Sequence, residues 1–470
     1  MLGETAASSL HSSGMFLIFA GCRRATVNRL FRWGRGMREL LDLQIIGGMV
    51  PWGLTAASLG LLVALLIRTP TRGWLIASAA AIAAGLAAGA GVFVWANATG
   101  AFEIQLPGSV LAWTAATFAG VGLALVCLWR GRWWQRTIAA VAAAAFVLTG
   151  AVQVNAAFGI DPTVADVLGV TVNDPIALPG GHTVRPHQPG AALYLRWHAP
   201  ADMPAQGTTG TVTIPATASH FPARTASIYL PPAALVAHAP ALPLIIMMMG
   251  YPGVPSIQPT AGVVDGFAAS HHGLAPIVVV ADQIGPNADP GCVDGARGNA
   301  ERYITTDVLS WARTHLDIIQ NPRYWTIAGY SNGATCAVKI AAQYPNVFRN
   351  VMSVSPELYL GTDYRGEMIR DVFHGRVAAW QAAKPAGILH REARLHRHIY
   401  RGVFTVITTG ALDDEFGAQS RALARDAKRA GMFVTLKVLP GVGHVGANVV
   451  AGLTAGIAVL YPRLGLAPAL

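Results

Sequence analysis

Between Gln44 and Ile160 the chain is charged in only three places: Arg68 and Arg72, then Glu103, then Arg130, Arg132 and Arg136. The stretches between them are long and apolar. Roughly 20 such residues are enough for a helix to cross a bilayer. The spacing predicts four spans, over about Ile45–Ile67, Trp74–Ala96, Val110–Trp129 and Thr137–Ala157. Their Ala, Gly and Thr content suits close helix–helix contact in lipid. Trp52, Trp74, Trp95, Trp129, Trp133 and Trp134 lie near the span ends, where indole rings prefer to sit. Buried helices of a large soluble protein would not need four uncharged runs with basic and aromatic ends.

The rest of the composition follows from this segment. Charged residues make up only 12% of the 470-residue chain, against about 25% in a typical soluble domain. The net charge of +10 comes largely from residues at span ends and in the N-terminal tail, so it reads as membrane topology and not as a nucleic-acid footprint. The positive-inside rule places the loops Arg68–Arg72 and Arg130–Arg136 in the cytoplasm, and four spans then put the C-terminal domain outside. The tail opposes this with Arg23, Arg24, Arg29, Arg32, Arg35 and Arg38. Met37 is an alternative start that removes all of them except Arg38. Met15–Cys22 mimics a lipoprotein signal, but its apolar run is short and no Lys or Arg precedes it. The reading divides the chain into a tail (1–44), a four-helix transmembrane block (45–160) and a C-terminal domain (161–470).

From Asp161 onward Pro, Gly, Thr and charges return. Short strands are predicted at Thr211–Pro215 and Thr225–Leu230 with a turn between them, and at Leu242–Met249, Ile277–Ala281, Trp325–Ala328, Val351–Val354, Val403–Thr408 and Phe433–Val438. Helical spacing covers Glu301–Leu316, Asn332–Gln343, Ala418–Ala430 and Ala447–Leu460. Strands alternating with helices imply an α/β fold with a mostly parallel sheet covered on both faces.

Gly329-Tyr330-Ser331-Asn332-Gly333 is a G-x-S-x-G pentapeptide. It follows an apolar strand and opens a helix, the setting of a nucleophile elbow. The glycines let the backbone turn sharply, and the helix N-terminus favours developing negative charge. A serine hydroxyl needs a base, which in this chain order should come last, after an acid. His444 lies after the last predicted strand, between glycines in LPGVGH. His271 and His272 precede the strand Ile277–Ala281 and so fall at the opposite sheet edge. The acid is expected after Val403–Thr408, where Asp413, Asp414 and Glu415 follow one another. Asp413 is the first choice and Asp414 the second, with the two unused carboxylates expected to cap the helix beginning near Gly417. The oxyanion hole needs two backbone N–H groups. Asn332 supplies one. Gly250-Tyr251-Pro252-Gly253 supplies the other; since Pro252 has no N–H, Tyr251 is the expected donor.

The segment from about Thr211 to Leu460 resembles the esterase family that contains esterase D and the mycolyltransferases of the antigen 85 group. The resemblance rests on IPATASHFPARTASIYLPPA, MMMGYPG, GYSNGATCA with AAQYPNVFRNVMSVSPE, GALDD and LPGVGH. The four spans followed by NAAFGIDPTVADVLG are similar to actinobacterial membrane members of that family. The resemblance implies an α/β-hydrolase domain, a Ser331–Asp413–His444 triad and an extracytoplasmic site. The chain departs from the family at Ala334, where a second glycine is common. It departs again at Val445, Gly446 and Ala447, where mycolyltransferases carry tryptophan.

Cys292 and Cys336 are expected to form a disulfide in an oxidising exterior; the alternative is two separate small packing residues. The run His390–Arg401 reads as a solvated face of an inserted cap, with lipid-phosphate or metal binding as the alternatives. Asp282 and Asp294 read as loop and turn residues. No zinc-type cysteine spacing occurs, and neither a metal nor an organic cofactor is expected. The expected partners are the lipid bilayer and a small ester or lipid substrate. The leading function is a membrane-anchored serine carboxylester hydrolase acting on lipid or envelope esters. An acyltransferase to a sugar or glycerol acceptor and a non-catalytic hydrolase-like binding module are the alternatives.

Overall fold

The computed structural model describes residues 35–468, except 42, 47, 68–69, 100–105, 107, 159–162, 169–174, 179–191, 252, 287, 362–363, 397 and 446. Outside the described residues fall the tail arginines from Arg23 to Arg32, the segment Met15–Cys22, and Arg68, Glu103, Pro252, Arg397 and Gly446. Two compact units are resolved. One is built from the described residues up to Ala157 with the short stretch from Thr163, the other from the described residues after 174.

The first unit contains four long helices: α1 (Met49–Leu66), α2 (Arg72–Thr99), α3 (Gly108–Arg130) and α4 (Trp133–Phe158). All four are long and apolar enough to cross a membrane. Large apolar side chains such as Leu59, Val63, Ile76, Val94, Leu125 and Val147 point outward, so the helices are apolar on every side. Small residues let the backbones of α2 and α3 approach. A Cβ on Gly89 would come 2.6 Å from Ala115 Cα, and one on Gly122 would come 2.6 Å from Ala81 O. Polar side chains join α1 to α4: the Ser58 and Thr149 hydroxyls lie 2.8 Å apart, and Gln153 Nε2 donates to Thr55 Oγ1 at 3.1 Å. Trp52, Trp95, Trp129, Trp133 and Trp134 are exposed. Trp74 is buried, in one cluster with Leu65, Leu123 and Phe146.

The second unit is an α/β-hydrolase-like core. The strands of its main sheet are β1 (Thr208–Val212), β2 (Ala226–Leu230), β3 (Leu244–Met248), β4 (Ile277–Val280), β5 (Trp325–Tyr330), β6 (Asn350–Val354), β7 (Phe404–Gly410) and β8 (Phe433–Leu439), and Asp294–Gly295 pairs with Gly298–Asn299 in a separate short hairpin. The main sheet has the order β1-β2-β4-β3-β5-β6-β7-β8. β2 is antiparallel to both its neighbours, and from β4 to β8 every pairing is parallel. Every residue of β3, β4, β5 and β6 is buried, as a sheet covered on both faces requires. α5 (Gln258–Ser270) packs with α10 (Ala447–Arg463). A second row comprises α7 (Asn332–Gln343), α8 (Pro385–Leu395) and α9 (Phe416–Ala430).

Two expectations change in detail. The first strand lies at Thr208–Val212 and not at Thr211–Pro215, and a loop rather than a turn leads from it to β2. The helix expected over Glu301–Leu316, here α6, is interrupted by a π-helical stretch at Tyr303–Val308. Asp307 in that stretch accepts the backbone N–H groups of Ala218 and Ser219, both at 2.9 Å, so it pins the loop between β1 and β2.

Candidate active site

β5 runs straight into α7, and Ser331 sits at the junction with φ 52° and ψ −117°. A non-glycine residue in this region is strained and persists only where the surroundings over-determine it. Here the determinants are visible. Ser331 N–H donates to Val354 O of β6 at 2.9 Å, and Ser331 O accepts Ala334 N–H at 2.9 Å. The two motif glycines are forced by close approach. A side chain on Gly329 would overlap the Gly333 carbonyl, and one on Gly333 would overlap the Met248 carbonyl of β3.

His444 arrives from the loop after β8. Its Nε2 lies 3.0 Å from Ser331 Oγ, and its Nδ1 lies 2.9 Å from Asp413 Oδ2. Two rings fix the imidazole plane, Phe416 at 4.2 Å between centroids and Tyr330 at 5.6 Å. The His444 carbonyl accepts Tyr330 O–H at 3.0 Å and Asn448 Nδ2 at 2.7 Å, so its backbone is held as well.

Asp413 follows β7, and its side chain is 1% exposed. Its other oxygen, Oδ1, accepts the Phe416 N–H at 2.9 Å. The cap of α9 is therefore made by the same carboxylate that meets His444. Asp414 is exposed, and no side-chain cap comes from Glu415. This corrects the expectation that the two unused carboxylates would cap the helix. One buried carboxylate with two oxygens serves both donors.

The loop after β3 reaches the serine. A Cβ on Gly250 would lie 3.4 Å from Ser331 Cβ. This brings Tyr251 beside the site, its ring 5.3 Å from that of Tyr364. Asn332 opens α7, where an N–H group has no partner within the helix. Cys292 and Cys336 are joined as a disulfide with Cα atoms 5.7 Å apart, tying the loop after β4 to α7.

Several residues at the site carried no signal in a linear reading. Asp289 Oδ2 accepts Asn332 Nδ2 at 2.7 Å and the Tyr364 O–H, and its Oδ1 accepts Gly291 N–H at 2.8 Å. Burial pushes the Asp289 carboxyl above the usual carboxylate range, against the pull of these three donors. Gln283 Nε2 donates to Met249 O and lies 3.3 Å from Asn332 Oδ1. Asn448 lies four residues after His444, in the first turn of α10.

Other sequence candidates lie away from the serine or have bland roles. His271 packs on Phe267 and Tyr461. Asp282 forms an ion pair with Arg224 at 2.7 Å, and Asp294 accepts Arg302 N–H at 2.9 Å. His390 lies 3.5 Å from Asp426, and His396 3.8 Å from Glu392, on the exposed side of α8. Among the described residues no cluster of three or more His, Cys, Asp or Glu is placed to hold a metal ion.

Residues 222–431 match the family model described as Putative esterase. The match covers less than half of the 470-residue chain. The matched segment contains Ser331 and Asp413 and stops short of His444. An uncharacterized protein of Corynebacterium glutamicum is 31% identical over 249 residues, covering 52% of this chain and 57% of the relative. The chain thus spans little more than half of the curated relative it matches. Similar solved structures include a ferulic acid esterase, 16% identical over 55% of this chain and 99% of that chain, with a TM-score of 0.48. Another is an S-formylglutathione hydrolase from Agrobacterium tumefaciens, 16% identical over 56% of this chain and 98% of that chain, with a TM-score of 0.47.

Proposed function

We propose that the protein is a membrane-anchored carboxylester hydrolase whose domain faces the outside of the cell and acts on lipid or envelope esters. The observation that carries this is the relay from Ser331 Oγ to His444 Nε2 and from His444 Nδ1 to Asp413, closed at 3.0 and 2.9 Å around a strained serine.

Ser331 Oγ attacks the ester carbonyl carbon while His444 Nε2 takes the hydroxyl proton. Asp413 holds the imidazole tautomer and stabilises the imidazolium without taking the proton. The carbonyl oxygen becomes an oxyanion facing the N–H groups of Asn332 and Tyr251. Collapse breaks the C–O bond, and His444 returns its proton to the leaving alkoxide. Water, deprotonated by His444, then attacks the acyl carbon; collapse breaks the bond to Ser331 Oγ, which takes the proton back from His444 as the acid leaves.

Four membrane-length helices support confinement of this chemistry to a bilayer surface. The outward orientation rests on the basic residues at the α1–α2 and α3–α4 connections, Arg72 at the start of α2, Arg130 at the end of α3, Arg132 between α3 and α4 and Arg136 in the first turn of α4, and on the Cys292–Cys336 disulfide, which suits an oxidising compartment.

A fluorophosphonate probe tests the reading. It should label the folded wild-type protein, and Ser331→Ala should abolish both labelling and ester turnover. Wild-type protein that stays unlabelled would make the domain a binding module. Product analysis with glycerol or a sugar present distinguishes water from an alcohol as acceptor; transfer products dominating over free acid would make the enzyme an acyltransferase.

A further inference from the structure

Asn332 is expected to act through its backbone N–H, yet its side chain is buried and bonded at both ends. Its Oδ1 faces Gln283 Nε2, and its Nδ2 donates to Asp289. Each of these partners reaches onward to the segment that carries Tyr251. Gln283 Nε2 also donates to Met249 O, two residues before Tyr251. Asp289 also accepts the Tyr364 O–H, and the Tyr364 ring lies against that of Tyr251. Two separate bridges therefore connect the N-terminus of α7 to the loop after β3. Asp289 is itself held in place by Gly291 N–H on its Oδ1 and by Arg297 Nη1 on its carbonyl at 3.1 Å.

We infer that Asp289 and Gln283 are positioning residues that use the Asn332 side chain to set the spacing of the two oxyanion donors, Asn332 N–H and Tyr251 N–H. The inference rests on the proposed hydrolase reading. The chemistry of the donors argues for it. All three groups on the Asp289 carboxylate are donors, so an uncharged amide there must turn an NH2 group toward one of them. Oxyanion stabilisation is geometric: donors must stand at hydrogen-bonding distance from where the charge will develop, not from the ground-state carbonyl. The two segments already touch at Gly333 and the Met248 carbonyl, and the side-chain ties add directional hydrogen bonds that hold the donor spacing.

The experiment compares wild type with Asp289→Asn, Asn332→Ala, Tyr364→Phe and the double variant Asp289→Asn/Asn332→Ala. Active sites are counted by fluorophosphonate stoichiometry, and kcat and KM are measured per active site on a soluble p-nitrophenyl ester. Loosening the donors should lower kcat by about tenfold to a hundredfold, with KM changed by less than about threefold. Affinity for a trifluoromethyl ketone that forms the tetrahedral adduct should fall in step with kcat. The double variant should be no worse than the more damaging single one, since both cut the same tie. A role in folding alone would lower the fraction of sites that label and leave kcat per labelled site unchanged, and that result overturns the inference. If Asp289→Asn yields no labelled protein, Tyr364→Phe decides, because it removes one hydroxyl and keeps the ring stack; unchanged kcat per site there also overturns it. Failure of the wild type to label would instead defeat the hydrolase reading itself.

Discussion

The helical block and the α/β unit are held together by different means. In the block, shape is spread along whole helices: Gly85, Gly89 and Gly122 let backbones touch, and a few hydroxyl and amide contacts join α1 to α4. Lipid tails are as apolar as the side chains, so association there depends on fit and not on removing apolar surface from water. In the α/β unit, burial of β3 to β6 drives the fold, and the proposed chemistry depends on a handful of polar atoms at the sheet edge. The lesson is that a change of one atom should be graded in the block and all-or-none at the site.

The sharpest break in that comparison lies between two adjacent carboxylates. Asp413→Asn should lower kcat by about a thousandfold to ten-thousandfold, since the amide favours the wrong imidazole tautomer. Asp414→Asn should leave steady-state turnover essentially unchanged. Equal losses at the two positions would mean that the acid is not the one that meets His444 at 2.9 Å.

Next in size is the disulfide. Its closed loop, with a sequence separation of 44, should contribute about 2–4 kcal/mol to the stability of the α/β unit. Urea denaturation with and without reductant measures this. Coincident curves would show that the link does not contribute.

A smaller effect is expected in the block. Gly89→Ala places a methyl group against Ala115 and should destabilise the detergent-solubilised protein by about 1–3 kcal/mol. Gly60→Ala meets open space and should be neutral or slightly stabilising through helix propensity. Thermal unfolding in detergent reads both, and equal shifts would contradict the α2–α3 contact.

The smallest effect is a pH slope. Burial raises the Asp282 carboxyl, but the hydrogen bonds and charge of Arg224 outweigh it and hold the group below its ordinary value. A depressed folded-state value means that stability from this pair is present above the unfolded value of about 3.9 and is lost as pH falls through the folded value. Arg224→Gln should flatten the fall of the denaturation midpoint in that acid window. An unchanged slope would show that the pair contributes nothing.

The legible parts of this protein are those written in local spacing. Four apolar runs, a strand–turn–helix around Ser331 and a histidine after the last strand are each encoded within about 20 residues, the length over which periodicity and turn chemistry act. The limits of α7 could be read to the residue because a strained turn starts it. By contrast, the sheet order, the burial of Trp74, the double duty of Asp413 and the bridges through Gln283 and Asp289 to Asn332 depend on distances between segments far apart in the chain. Asp289 looks like any loop aspartate until folding carries it to the start of α7. Only tertiary structure decides which of several equivalent polar groups meet, because a hydrogen bond is made or lost within a few tenths of an ångström and no local pattern specifies position that finely.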